Sequence, residues 1–222
     1  MAEIYDDTYD DIRKAVLEAA LPDITFEGWS ENLLVRASKT VGIDDDMLHL
    51  AFADGVGDLI ATFSKSGDAA MLAALAAPED FKIRDRIRHA VRVRLEVDTE
   101  AREAVRRAAG WLSLPGRQAL AGRLIYATAD HIWHWAGDTA TDYNHYSKRL
   151  ILSGVLGATR LVWLGDETDG NEKSWAFLDR RIENVMQFEK TKAKWQAASD
   201  GRTPVSDLLG KLAKRRYNMR SA

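Results

Sequence analysis

The stretch 25–60, TFEGWSENLLVRASKTVGIDDDMLHLAFADGVGDLI, decides the fold. Trp29, Leu33 and Ala37 recur at helical spacing and predict a helix over about Thr25 to Thr40 that stops at Gly42. A short helix, about Asp44 to Ala51, follows at once, and Ala53-Asp54-Gly55 opens a longer one through Leu75. Upstream, Ile12, Ala15, Val16 and Ala19 predict a first helix from about Tyr5 to Ala20, with Leu21-Pro22 as its end. Helix, helix, tight glycine turn, short helix, long helix is the layout of a helix-turn-helix head joined to a connecting helix.

A DNA-reading head needs lysine or arginine at the start of its recognition helix. Here that place holds Asp44, Asp45 and Asp46. Carboxylates suit a helix N-terminus on dipole grounds, and three of them facing a polyanion repel it. The expectation is therefore no nucleic-acid partner. Residues 1–54 carry 13 acidic and 4 basic side chains, a net charge of −9 within a chain total of −3. The basic balance is strongest in 202–220, where six basic residues face one acidic one. Different partners for the two ends follow from that asymmetry.

Beyond residue 75 the pattern stays helical. Ile83, Ile87, Val91 and Leu95 set a helix over about Phe81 to Asp98, and Arg84, Arg86, Arg88, Arg92 and Arg94 between them read as a solvated face partnered by Asp85 and Glu96. A further helix covers about Glu100 to Leu112, Leu114-Pro115-Gly116 breaks the chain, and the next helix runs to Trp135 or Ala136. The segment 139–164 is apolar on more than one face and should be central. Asp169 with Glu172 reads as a capping box for a last long helix of about Asn171 to Ala198. No run of alternating β-branched residues suggests a sheet. The fold class expected is all-α, divided as a helix-turn-helix-like head at 1–55, a larger helical ligand-binding bundle at 56–200 and a basic amphipathic helix at 201–222.

With 46% hydrophobic residues in 222, the chain can bury a sizeable core. The absence of cysteine excludes disulfides and thiolate metal sites. No segment supplies the roughly 20 apolar residues of a membrane span, and the acidic N-terminus has no signal pattern. The expected location is cytoplasmic, or peripheral on the inner membrane from that side.

One pattern hints at catalysis. His131, His134, Asp138, Asp142 and His145 would lie near one face of a single uninterrupted helix, and such clusters bind zinc or iron. A di-iron bundle, however, needs Glu-x-x-His pairs from several helices, the chain has none, and Gly137 bends the line. Neither metal nor cofactor is expected, and no phosphate loop or nucleophile motif is present. Trp111 and Trp133, with Leu150, Gly154, Gly157 and Leu161 on the apolar helix, mark instead an apolar cavity for a ligand.

Three blocks carry a resemblance: Trp133-His134-Trp135-Ala136-Gly137-Asp138, Thr141-Asp142-Tyr143-Asn144-His145-Tyr146-Ser147-Lys148-Arg149, and Trp175-Ala176-Phe177-Leu178-Asp179-Arg180-Arg181-Ile182-Glu183. Together they resemble the coenzyme Q (ubiquinone) biosynthesis accessory family, that of the ninth Coq protein. The resemblance implies a TetR-like fold, commonly a homodimer, without DNA binding and without enzyme activity. It also implies an internal pocket for an isoprenoid quinone intermediate or phospholipid. The implied partner is the demethoxyubiquinone hydroxylase, the seventh Coq protein, docked around Asp142, Tyr143, His145, Tyr146 and Arg149. The family more commonly has tryptophan where His145 stands, and other residues at 131 and 134. A ligand-responsive regulator of the TetR type is the alternative.

A quinone with a polyprenyl tail is nearly insoluble, so its carrier must touch membrane. Thr203 caps and Pro204 opens a C-terminal helix whose Leu208, Leu209 and Leu212 form one apolar stripe, with Lys211, Lys214 and Arg215 beside it. Such a helix fits an anionic membrane surface or a groove on its own protein.

Overall fold

The computed structural model describes residues 2–76, 81–138 and 143–199. Among them there is no strand. The helices are α1 (Ala2–Glu27), α2 (Glu31–Thr40), α3 (Asp45–Ala51), α4 (Val56–Ala74), α5 (Ile83–Glu96), α6 (Arg102–Leu112), α7 (Gln118–Trp135), α8 (Tyr143–Leu164) and α9 (Glu172–Ser199). Residues through Leu178 form one compact unit, and a second begins at Asp179. Of the second unit the described part, 179–199, is the continuation of α9.

The head departs from expectation at its first joint. Leu21-Pro22 does not end α1, which runs on to Glu27 with Pro22 inside it. Proline deletes one helical hydrogen bond, but Ile24, half a turn further on, is fully buried and continues the stripe of Val16, Leu17 and Ala20. The true stop is Gly28. Its φ of +69° is a left-handed conformation that side-chain-bearing residues rarely adopt, and its N–H bonds back to Ile24. Consequently α2 starts six residues later than the periodicity predicts, at Glu31. Ser30 is its N-cap and accepts from the Leu33 N–H at 3.2 Å. Trp29 therefore sits in the joint rather than on a helix face. Its ring lies 5.3 Å from that of Phe63, and its Nε1–H donates to the Ala104 carbonyl at 3.0 Å.

The short helix α3 starts where the sequence places it. Asp44 caps it by accepting from the Met47 N–H at 2.8 Å, and Asp44, Asp45 and Asp46 are all exposed. The hydrophobic core of the head does not close at residue 55. Val16, Leu33, Leu48, Phe52, Leu59 and Ile60 share one cluster with Ala104 and Ala108 of α6.

At the C-terminal side of the unit, the expected capping box is replaced by a tighter device. Asp169 to Asn171 form a 3-10 turn, and the carboxylate that caps α9 is Asp166. Its Oδ2 accepts from Ser174 N–H at 2.8 Å and Ser174 O–H at 2.6 Å, while Oδ1 accepts from the Thr168 N–H at 3.0 Å and hydroxyl. Burial pushes this carboxyl up, but the Ser174 and Thr168 bonds outweigh burial and hold it well below the usual carboxylate range. A depressed carboxyl stabilises the fold above the ordinary carboxylate pKa, and that stabilisation is lost as pH falls through the folded value. In urea titrations, wild type should therefore exceed Asp166→Asn by a constant margin above about pH 5. The margin should shrink as acid protonates Asp166; one that stays constant into strong acid would remove Asp166 from this role.

Candidate functional site

Between α4, α5, α6, α7 and α8 lies a cavity of about 390 Å³. Most of its wall is apolar: Ile60 and Phe63 from α4, Val105, Ala108, Ala109 and Leu112 from α6, Ala121, Leu124 and Ile125 from α7, and Gly157 with Leu161 from α8. That volume and lining are those of a small-molecule or lipid-chain site. Gly157 is required by packing, since a Cβ there would stand 2.9 Å from Cδ1 of Ile125.

A charged wall breaks the apolar lining. Arg94, which the helical pattern of α5 assigned to a solvated face, is 2% exposed. Its Nε donates to Asp68 at 2.7 Å, its Nη1 to Asp98 at 2.5 Å, and its Nη2 to the Ser64 carbonyl at 3.4 Å. Burial pushes this guanidinium down, and Asp98 and Asp68 more than compensate and hold it above its ordinary value. Asp68 also accepts from the Thr128 hydroxyl at 2.9 Å and contacts His131 Nδ1 at 3.2 Å. Space for the guanidinium comes from Gly67, where a Cβ would meet Nη2 at 2.6 Å. The clue was in the sequence: Arg94 stands seven residues after Ile87 and so shares the buried stripe, with Asp98 one turn on.

Arg160 of α8 lines the same cavity, and its Nε and Nη2 are enclosed without a hydrogen-bond partner among the described residues. Burial, with Arg94 alongside, pushes it down to about 10, while Asp98 and Asp68 pull the other way. It is still charged at neutral pH.

Of the residues assigned from sequence to the ligand pocket, Gly157 and Leu161 line the cavity. Leu161 is 68% exposed. The others lie elsewhere. Trp111 packs on the core of the head under the Arg117 guanidinium, 3.5 Å from the ring centroid. Trp133 donates to the Lys148 carbonyl at 3.2 Å beneath that lysine's ammonium. Leu150 is 63% exposed, and a Cβ on Gly154 would meet nothing.

The histidine–aspartate stripe is divided. Gly137, at φ +88°, ends α7, with its N–H bonded to the His134 carbonyl and that of Asp138 to the Trp133 carbonyl. The five residues therefore do not share one helix. Among the described residues no group of three or more histidine, aspartate or glutamate side chains is placed to hold a metal ion. Asp138 instead takes Lys148 at 2.7 Å and Arg149 at 3.1 Å.

Of the assigned partner surface, Tyr146 is 60% exposed, with its ring edge against His145 at 5.1 Å. Arg149 is 3% exposed, bonded to Asp130, Asp138 and the His145 carbonyl, and so buttresses that surface from within. Asp142 lies outside the described residues, as does the side chain of Tyr143. The membrane element, with Leu208, Leu209, Lys211, Leu212, Lys214 and Arg215, also lies outside them.

Fold and cavity together define a protein of TetR-like architecture, helical throughout its described elements, with a largely apolar, half-open site. A TetR transcriptional regulator from Nitrosomonas europaea superposes with a TM-score of 0.61 over 80% of this chain and 99% of that one, at 18% identity, which speaks to fold alone. A family model, COQ9, matches residues 118–189, the span of α7, α8 and α9 as far as residue 189. The mitochondrial ubiquinone biosynthesis protein COQ9 of Rattus norvegicus is 31% identical over 208 residues, 90% of this chain and 66% of that protein. Its counterpart in Xenopus tropicalis is 30% identical over 90% and 65%, and the one in Homo sapiens 28% over 90% and 64%. The chain belongs to the COQ9 family. It spans just under two thirds of the length of these relatives.

Proposed function

We propose that this chain is a non-catalytic lipid-binding accessory protein of ubiquinone biosynthesis. In this reading it holds a polyprenyl quinone intermediate and presents it to the demethoxyubiquinone hydroxylase. The observation that carries the reading is the 390 Å³ apolar cavity, walled in part by α7 and α8, the helices matched by the COQ9 family. An insoluble substrate gains from a protein cavity that replaces bilayer around its tail. The test is extraction and mass spectrometry of lipid co-purifying with native protein. A quinone precursor or other isoprenoid supports the reading; phospholipid alone keeps lipid binding and removes the pathway; no lipid overturns it.

The hydroxylase is proposed to dock where Tyr146 and Leu150 stand one turn apart and exposed on α8. Tyr146→Asp should weaken co-purification with the hydroxylase at least about tenfold, since a charge in a desolvated contact costs 1.4 kcal/mol or more. Arg149, being buried, should instead affect stability when changed. Undiminished association of the Tyr146→Asp protein would take this surface out of consideration.

No described helix is long and apolar enough to cross a membrane. The proposed contact is peripheral, on the inner membrane, through 204–216, with the protein otherwise a homodimer. Removal of 204–220 should then reduce binding to anionic liposomes, and equal binding would sink that element. A ligand-responsive regulator has the TetR fold in its favour, and the exposed Asp44–Asp46 triplet at the head of α3 opposes it. That reading requires salt-dependent retention of a palindromic operator.

A further inference from the structure

The cavity described above contains a cation with no direct ion pair of its own among the described residues, Asp98 and Asp68 acting on it only from beyond contact. Arg94 takes up both carboxylates of the charged wall, Asp68 and Asp98. Arg160, on the opposite helix, faces the same space with Nε and Nη2 enclosed and unbonded among the described residues. An enclosed guanidinium nitrogen left without a hydrogen bond is costly for a fold to keep, even on a half-buried side chain. It is ordinarily relieved by a partner, and among the described residues no group bonds to Nε or Nη2 of Arg160. Val105, Ala108 and Ile125 line the same cavity, as does the exposed Leu161. A ligand in it meets mostly hydrocarbon together with the Arg160 guanidinium.

We propose that Arg160 is the head-group anchor of this cavity, and that the ligand is an amphiphile with a single aliphatic or prenyl chain and an anionic oxygen head, carboxylate or phosphate. A guanidinium matches either group with two parallel N–H donors. A neutral quinone carbonyl satisfies hydrogen bonds yet leaves the charge uncompensated, which is why the anion is favoured. The inference rests on the lipid-binding reading of the cavity and specifies which end of the lipid sits where.

The experiment uses the full chain, delipidated, titrated calorimetrically at pH 7.5 with four probes sharing a ten-carbon chain: decanoate, decyl phosphate, 1-decanol and decylubiquinone. Decanoate or decyl phosphate should bind about tenfold or more tightly than decanol, the size of one charge-assisted bond. The ratio between the two distinguishes carboxylate from phosphate as the head group. Arg160→Met should abolish the anion preference while leaving decanol affinity unchanged, and Arg160→Lys should restore part of it. The empty Arg160→Met protein should also melt higher than empty wild type, because two enclosed and unsatisfied guanidinium nitrogens have gone. A residue with a merely structural role would melt lower. Equal affinity for acid and alcohol in wild type overturns the proposal even if the variant fails to fold. So does an anion preference that survives Arg160→Met. Tight binding of decylubiquinone alone overturns the anionic head and keeps the quinone carrier. No binding by any probe sinks both.

Discussion

Replacing Arg94 with methionine is expected to destabilise the protein by about 3–5 kcal/mol, the cost of stranding one side of a buried ion pair. Two carboxylates, Asp68 and Asp98, both largely buried, lose their shared cation. Urea unfolding at neutral pH measures the loss directly. Adding Asp68→Asn and Asp98→Asn to Arg94→Met should recover much of it, because both stranded charges then disappear. A loss below 1 kcal/mol would mean that the pair is far better solvated than its burial indicates. The same variant distinguishes the two arginines of the cavity: each of the three guanidinium nitrogens of Arg94 has a bond, whereas Nε and Nη2 of Arg160 have none among the described residues.

The second large effect concerns the cavity itself. Ala121→Trp should reduce the lipid that co-purifies with the protein about tenfold or more by filling space that a chain would occupy. Ala121 lines the cavity without belonging to the fully buried core. Overpacking strain should accordingly be small, with helical content and urea midpoint near wild type. Retention of a full complement of lipid would show that the lipid sits elsewhere on the protein. A matched change at Leu150, exposed and not among the lining residues, should leave lipid content as it was.

How far the sequence could be read depended on whether a feature was local. The helix-turn-helix rhythm of 25–60 was legible because stripe, cap and turn residues are neighbours in the chain. Asp44 bonding to Met47 N–H is a three-residue event. The error at Pro22 was of the opposite kind. A proline signals a stop through one lost hydrogen bond, and burial of Ile24 by distant helices overrode it. Asp166 was missed as the cap of α9 because it acts across eight residues, past the nearer Asp169. The cavity was legible only in part. Gly157 and Leu161 were found from the apolar character of α8, whereas its α4 and α6 walls depend on tertiary packing that periodicity does not encode. Trp111 and Trp133 attracted attention by size, and each is occupied under a cation instead. Arg160 carries no local signal at all. What singles it out is that Nε and Nη2 find no hydrogen-bond partner among the described residues, a property of the assembled unit.

Trp29 has a consequence for how the two parts of the unit communicate. Its indole is tethered to the Ala104 carbonyl, and Ala104 and Ala108 belong to the core of the head while Val105 and Ala108 face the cavity. α6 is thus a party wall. Whatever stiffens it from the cavity side also reduces the opening fluctuations of the helices beyond it, and the coupling is reciprocal. Amide-exchange rates in the head should therefore report whether the chamber behind it is full.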